Sequence, residues 1–161
     1  MSLVEATVAI PEFSLASKTL QGKVVSCYDG DTFHAVLDTA FGLWRFSCRM
    51  AGYDTPEMKP PKNKADRDIE KARALKSKHA LLTRVSDSVP ELTATPTNVE
   101  LDACMSRNRK TIQIICKEFD KYGRLLVEVP TDSGTVNDWM VQQGYGYAYD
   151  GGTKDATFAT R

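Results

Sequence analysis

The chain predicts an α+β fold: a small antiparallel β-sheet with helices packed against it. Three observations carry that prediction. Residues 43–51 alternate in polarity, with Trp44, Phe46, Cys48 and Met50 on one side and Arg45, Ser47, Arg49 and Ala51 on the other. That is the period of a half-buried strand. Turn sequences at Asp29-Gly30 and at Asp120-Lys121-Tyr122-Gly123 each divide two β-rich runs, so strands come as hairpins. Residues 66–84, rich in Ala, Lys, Arg, Glu and Leu, read as one long helix.

Taken in order, residues 1–20 are weakly patterned and read as an N-terminal arm, with the domain occupying 21–161. Residues 23–28 form a first strand, and 32–37 resume after the Asp-Gly turn as a second. The alternating strand follows and is stopped at Asp54-Thr55-Pro56, because proline restricts the residue before it and cannot donate to a sheet. In the long helix Ile69, Ala72, Leu75, His79 and Leu82 define the expected apolar stripe. Residues 86–98, with Pro90 and Pro96, read as a loop. Residues 111–117 and 124–129 make the second hairpin, and 136–143 a short helix stopped by Gly144. The tail, 150–161, has little to bury. Four or five strands in a small sheet leave exposed edges, and closure into a barrel removes most of them.

Composition narrows the class. A chain of 161 residues with 42% hydrophobic residues suffices for one domain with a real core and no need of disulfides. No apolar run approaches the roughly 18–20 residues of a membrane span. Glu5, Pro11 and Glu12 interrupt the place where a secretory signal would be apolar, so a reducing intracellular compartment is expected. Cys27, Cys48, Cys104 and Cys116 form no C-x-x-C pair and lie near neither histidine, which argues against structural zinc and for buried free thiols. His34, mid-strand, and His79, on the helix stripe, read as structural.

Net charge is zero, with 21 Lys+Arg against 21 Asp+Glu, which excludes a wholly basic nucleic-acid coat protein. Its distribution is uneven. Residues 58–84 carry +6, residues 107–124 carry +4 and the remainder −10. Two basic stretches of this kind suit either a polyanion-binding face or a solvated helix surface. Within the acidic remainder, Asp29, Asp31, Asp54 and Glu57 all fall at turns that end strands. If the strand order gathers them, they form a hard oxygen cage suited to Ca²⁺ or Mg²⁺. Beside arginines such a cage matches phosphodiester hydrolysis, whose transition state accumulates charge on phosphoryl oxygens.

Three segments carry a resemblance. Asp29-Gly30-Asp31-Thr32, then Arg49-Met50-Ala51-Gly52-Tyr53-Asp54-Thr55-Pro56-Glu57, then Asp120-Lys121-Tyr122-Gly123-Arg124 resemble, in order, the signature segments of the staphylococcal-nuclease-like (thermonuclease) family. The resemblance covers roughly residues 22–149. It implies a five-stranded OB-fold β-barrel with packed helices, and Ca²⁺-dependent cleavage of DNA and RNA. Position by position, Asp31 and Asp54 match metal-ligating carboxylates, and Thr55 the residue offering a main-chain carbonyl. Arg49, Glu57 and Arg124 match the catalytic trio, while Lys121, Tyr122 and Tyr149 match residues that contact a bound nucleotide. Single-stranded DNA and RNA are the expected substrates, with Mg²⁺ an alternative occupant of the metal site.

The chain departs from the family pattern in three ways. The 86–98 loop lengthens the stretch after the basic helix, little chain follows Tyr149, and the overall charge is neutral where the best-known members are basic. With little of the family's final helix expected, support is expected from the N-terminal arm or a partner, and binding is expected to be weaker and more salt-sensitive. Two other readings compete with a nuclease. One is a non-catalytic OB-fold module stacking bases on Tyr122, Tyr147 or Tyr149. The other is a protein-binding scaffold that needs neither Glu57 nor Arg124.

Overall fold

A computed structural model describes residues 1–149. The strands are β1 (Thr19–Cys27), β2 (Thr32–Thr39), β3 (Gly42–Met50), β4 (Tyr53–Asp54), β5 (Ile112–Phe119), β6 (Leu125–Glu128), β7 (Pro130–Thr131), β8 (Gly134–Thr135) and β9 (Tyr147–Ala148). The helices are α1 (Arg67–Val85), α2 (Asn98–Met105) and α3 (Val136–Gln142). Five strands close into a barrel in the order β1-β2-β3-β6-β5, as edge avoidance predicts. All neighbours are antiparallel except β3 and β6, which run parallel through Cys48↔Leu125, Arg49↔Leu126 and Met50↔Val127. The α+β prediction therefore holds.

The barrel interior is filled by alternate side chains of every strand: Val24, Phe33, Leu37, Cys48, Met50, Ile114, Cys116, Leu125 and Val127 are all buried. All four cysteines are buried free thiols, as expected. Burial pushes the Cys48 thiol up to about 12, which keeps it protonated and unreactive. The core supplies the main stabilisation, because each fully buried side chain of this size contributes roughly 1.5–3 kcal/mol. The 150–161 tail lies outside the described residues. Among the described residues no helix is long and apolar enough to cross a membrane.

Three local expectations are corrected. The long helix starts and ends within one residue of its predicted bounds, and of its expected stripe His79 and Leu82 are buried and Leu75 packs on the core, but the buried face is wider and also takes in Ala74, Ser77, Lys78, Leu81 and Val85. Ile69 is exposed, and so is Ala72. Two polar residues hid the wider face, since each enters the interior with a partner. Ser77 Oγ donates to the Tyr145 carbonyl at 2.5 Å, and Lys78 Nζ donates to Asn98 and Asp102 at 2.8 and 2.5 Å. Trp44 shares its strand face with Cys48 and Met50 but is 59% exposed, because the β2–β3 hairpin projects beyond the barrel with Phe41 and Leu43. Finally, the 86–98 loop ends in an unforeseen helix, α2. Its signal was in the sequence: Thr97 and Glu100 form a reciprocal capping box.

The arm joins the body before its strand begins. Leu15 is buried in the core, and Ser17 N donates to Cys116 O at 2.9 Å. Ser14 bonds the Glu118 carboxylate, and the Phe13 ring lies 6.5 Å from Phe41. At the other end Asn137 pins α3 to the barrel, donating to Ala51 O and Val127 O while its own oxygen accepts from Val129 N. His34 is exposed beside Ser26, and buried His79 meets the Pro90 carbonyl at 2.7 Å, which ties α1 to the loop after it.

Candidate functional site

The site is assembled where β1 turns into β2 and β3 runs into β4. Strand pairing sets Thr32 opposite Arg49, and Met50 N donates to Asp31 O at 2.8 Å, so the first two signature segments lie side by side. The Asp29 carboxylate accepts from the N–H groups of Asp31 and Thr32, at 3.0 and 2.8 Å, folding the chain into an Asx turn. Gly30 allows that turn to press against the body. A Cβ there would lie 2.6 Å from Ser77 Cβ and 2.8 Å from Thr55. The Tyr53 hydroxyl closes the back by donating to Gly30 O at 2.7 Å.

Two carboxylates meet at the centre. Asp31 Oδ2 accepts from both the N–H and the hydroxyl of Thr55, each at 3.1 Å, and Asp31 Oδ1 accepts from the Thr32 hydroxyl at 2.8 Å. Asp54 Oδ1 accepts from the same Thr55 N–H at 3.0 Å, and its Oδ2 accepts from the Tyr147 hydroxyl at 3.3 Å. The Tyr147 hydroxyl thus supports a carboxylate. Burial pushes the Asp31 carboxyl above its ordinary range, with the Asp29 charge adding to the shift and Arg49 and the Asp54 carboxyl opposing it.

Arg49 spans both acids, Nη1 at 3.0 Å from Asp31 Oδ1 and Nη2 at 3.5 Å from Asp54 Oδ1. Nη1 is buried but meets no acceptor at hydrogen-bond geometry. The Tyr149 ring stands 6.0 Å from the guanidinium carbon, and Tyr149 N is anchored on Gly52 O.

Arg124 arrives from the turn between β5 and β6, which the parallel β3–β6 pairing carries alongside Arg49. Asp120 Oδ1 accepts from the N–H groups of Tyr122 and Arg124, both at 2.9 Å, and Gly123 takes the positive φ of 79° that the turn requires. Arg124 Nε donates to Asp120 Oδ2 at 2.7 Å, which fixes the guanidinium stem. Tyr122 is exposed, with Lys121 Nζ at 5.2 Å and the Arg124 guanidinium at 5.3 Å from its ring centre.

Glu57 is exposed, and its backbone N–H donates to Glu70 Oε1 at 3.2 Å. The other Glu70 oxygen accepts from Lys64 Nζ. The first turns of α1 therefore clamp both ends of the 57–64 segment, a role for Glu70 that sequence reasoning missed. In the helix pattern Glu70 looks like one more solvated charge. Its partner lies thirteen residues away in a segment without periodicity.

These residues line one trough with two lobes. The first, about 380 Å³, is bordered by Asp31, Asp54, Thr55, Glu57, Arg49 and Arg124, and also by Tyr28 and Lys59. The second, about 420 Å³, is bordered by Lys121, Tyr122, Tyr53 and Leu126. Arg49, Arg124 and Tyr149 border both and mark the junction. Every residue expected at the site from the sequence is thus on this trough.

The basic stretches are more committed than their counts suggest. Lys78 is interior, Lys64 is paired with Glu70, Lys117 with Glu128 and Arg124 with Asp120. No family model matches the chain, and no curated protein matches it in sequence.

The donor set fits a hard cation: two adjoining carboxylates, one of them crowded by a third acid, with oxygen donors around them. Among the described residues no group of three or more His, Cys, Asp or Glu side chains stands ready to hold a metal. An ion here would complete its shell with water, carbonyl or substrate oxygen, which suits a site that must admit a substrate.

Proposed function

We propose that this trough hydrolyses phosphodiester bonds of single-stranded DNA and RNA, with Ca²⁺ as its metal and little sequence preference. The observation that carries the reading is the convergence of Asp31, Asp54, Arg49, Glu57 and Arg124, from three separate segments, on one cleft of about 380 Å³. The barrel order, first-second-third-fifth-fourth among its five strands, supports an OB-fold of the staphylococcal-nuclease type.

Asp31 and Asp54, with Thr55 between them, are the residues to hold Ca²⁺. A bound divalent cation supplies neutralisation of charge on a phosphoryl oxygen. Glu57, exposed at the cleft rim, orients a water and accepts its proton as the water oxygen bonds to phosphorus. The bond from phosphorus to the 5′-oxygen breaks, and the proton passes to that oxygen. Arg49 and Arg124 bind the phosphate and stabilise the charge that builds on its equatorial oxygens. The planar guanidinium matches two such oxygens at once, which an ammonium cannot do. The placement of Arg49 supports this role: its guanidinium is held at the two acids, 3.0 Å from Asp31 Oδ1, and borders both lobes of the trough.

The deciding experiment incubates purified protein with single-stranded DNA and with RNA, in Ca²⁺ or in EDTA. Products that require Ca²⁺ and disappear in Glu57→Gln are expected. Tight binding without products under any divalent ion overturns the reading in favour of a non-catalytic OB-fold module.

A further inference from the structure

Tyr28 is a large aromatic side chain, 53% exposed, on the wall of the first lobe. Its backbone is fixed, because Tyr28 N donates to Thr32 O at 2.9 Å and the next residue, Asp29, closes the Asx turn. A ring left half in water on a rigid turn does little for the core. Lys59 borders the same lobe and is exposed. Neither residue borders the second lobe, and Lys121 and Tyr122 do not border the first. Each lobe therefore carries a tyrosine and a lysine that the other lacks, and Arg49 and Arg124 border both.

Resting on the nuclease reading, we propose that Tyr28 and Lys59 form a second nucleotide subsite, on the opposite side of the reacting phosphate from Tyr122. There an unpaired base stacks on the Tyr28 ring, and Lys59 meets the adjoining backbone phosphate. A ring can stack on a base only when that base is free of its partner strand, and stacking is tolerant of sequence because every base has a π-face. With aromatic rings in both lobes, the trough selects a strand unpaired on either side of the cut. Duplex is disfavoured because pairing must be broken first.

The test measures binding of a short single-stranded oligodeoxynucleotide, with a single 2-aminopurine moved along it, to protein in the Glu57→Gln background with Ca²⁺. Tyr28→Ala is expected to weaken binding about 5- to 100-fold. Tyr28→Trp should restore it, and Tyr28→Leu, which keeps apolar area without a π-face, should not. One position of the 2-aminopurine, on one side of the cut only, should lose its quenching in Tyr28→Ala. An abasic nucleotide at that position should make parent and Tyr28→Ala bind alike. Thermal stability and Ca²⁺ affinity of Tyr28→Ala should match the parent, since the ring is exposed.

Equal binding by parent and Tyr28→Ala overturns the subsite, as does full rescue by Tyr28→Leu. If wild-type protein still cuts single strands with Ca²⁺ in that case, the nuclease reading stands without it. If wild-type protein neither binds nor cuts the oligonucleotide, both fall together.

Discussion

The main-chain N–H and the hydroxyl of Thr55 both donate to one oxygen of Asp31, each at 3.1 Å, across twenty-four residues of sequence. This pair of bonds joins the turn after β1 to the segment after β4 and holds the two central carboxylates together. The arrangement gathers negative charge in a buried place, which is costly for an isolated fold and useful to a cation.

Asp31→Asn should therefore separate stability from function. With EDTA present, removing a buried charge crowded by Asp29 should leave the melting temperature unchanged or higher. Ca²⁺ should raise the melting temperature of wild type but not of the variant. Calorimetry that finds wild-type Ca²⁺ affinity in Asp31→Asn would sink the ligand assignment.

Glu57→Gln should spare Ca²⁺ binding and lower turnover by about 10²–10⁴, the usual contribution of a positioned acid or base. Single-turnover rates at saturating substrate, set beside calorimetric titration of Ca²⁺, check both halves. A variant with normal turnover would remove Glu57 from the chemistry.

Arg49→Lys and Arg124→Lys keep charge and lose the fork. Each should cost about 10²–10³ in kcat, roughly 3–4 kcal/mol of barrier. Arg49→Lys also leaves two buried acids with a poorer partner, so its metal-free melting temperature should fall further than that of Arg124→Lys, whose stem is more exposed. Near wild-type kcat in either lysine variant would contradict the phosphate-bracing role.

Glu70→Ala tests positioning rather than chemistry. Releasing the Glu57 N–H and Lys64 should lower activity through Glu57 alone, so the double variant Glu70→Ala/Glu57→Gln should be no slower than Glu57→Gln. Additive losses would mean that Glu70 acts by another route.

The pH dependence of the Arg124 anchor has a definite sign. Burial works against the charged form of Asp120, but the N–H groups of Arg124 and Tyr122 and the Arg124 guanidinium outweigh it and hold the carboxyl below its ordinary range. A lowered folded value means that the contribution to stability is present above the unfolded value, about 3.9, and is lost as pH falls through the folded one. NMR titration of the Asp120 carboxyl carbon should give a midpoint below that unfolded value. In Arg124→Lys the midpoint should rise. An unchanged midpoint would show that the guanidinium does not set it.

Much was legible from the sequence because it is local. Turn chemistry at Asp29-Gly30 and 120–123, the two-residue period of β3 and the length of α1 each depend on near neighbours, so pattern reveals them. The capping box of α2 was equally local and was there to be read. The buried face of α1 was legible only in part, through Leu75, His79 and Leu82. Ser77 and Lys78 are interior only because Tyr145, Asn98 and Asp102 arrive from elsewhere to satisfy them. Tertiary structure alone also decided that β3 and β6 run side by side in parallel, which carries Arg124 to Arg49, and that Glu70 clamps Glu57. Residue types and short spacings are properties of the chain. Distances between segments exist only once the barrel closes, because closure sets which strand ends share a face.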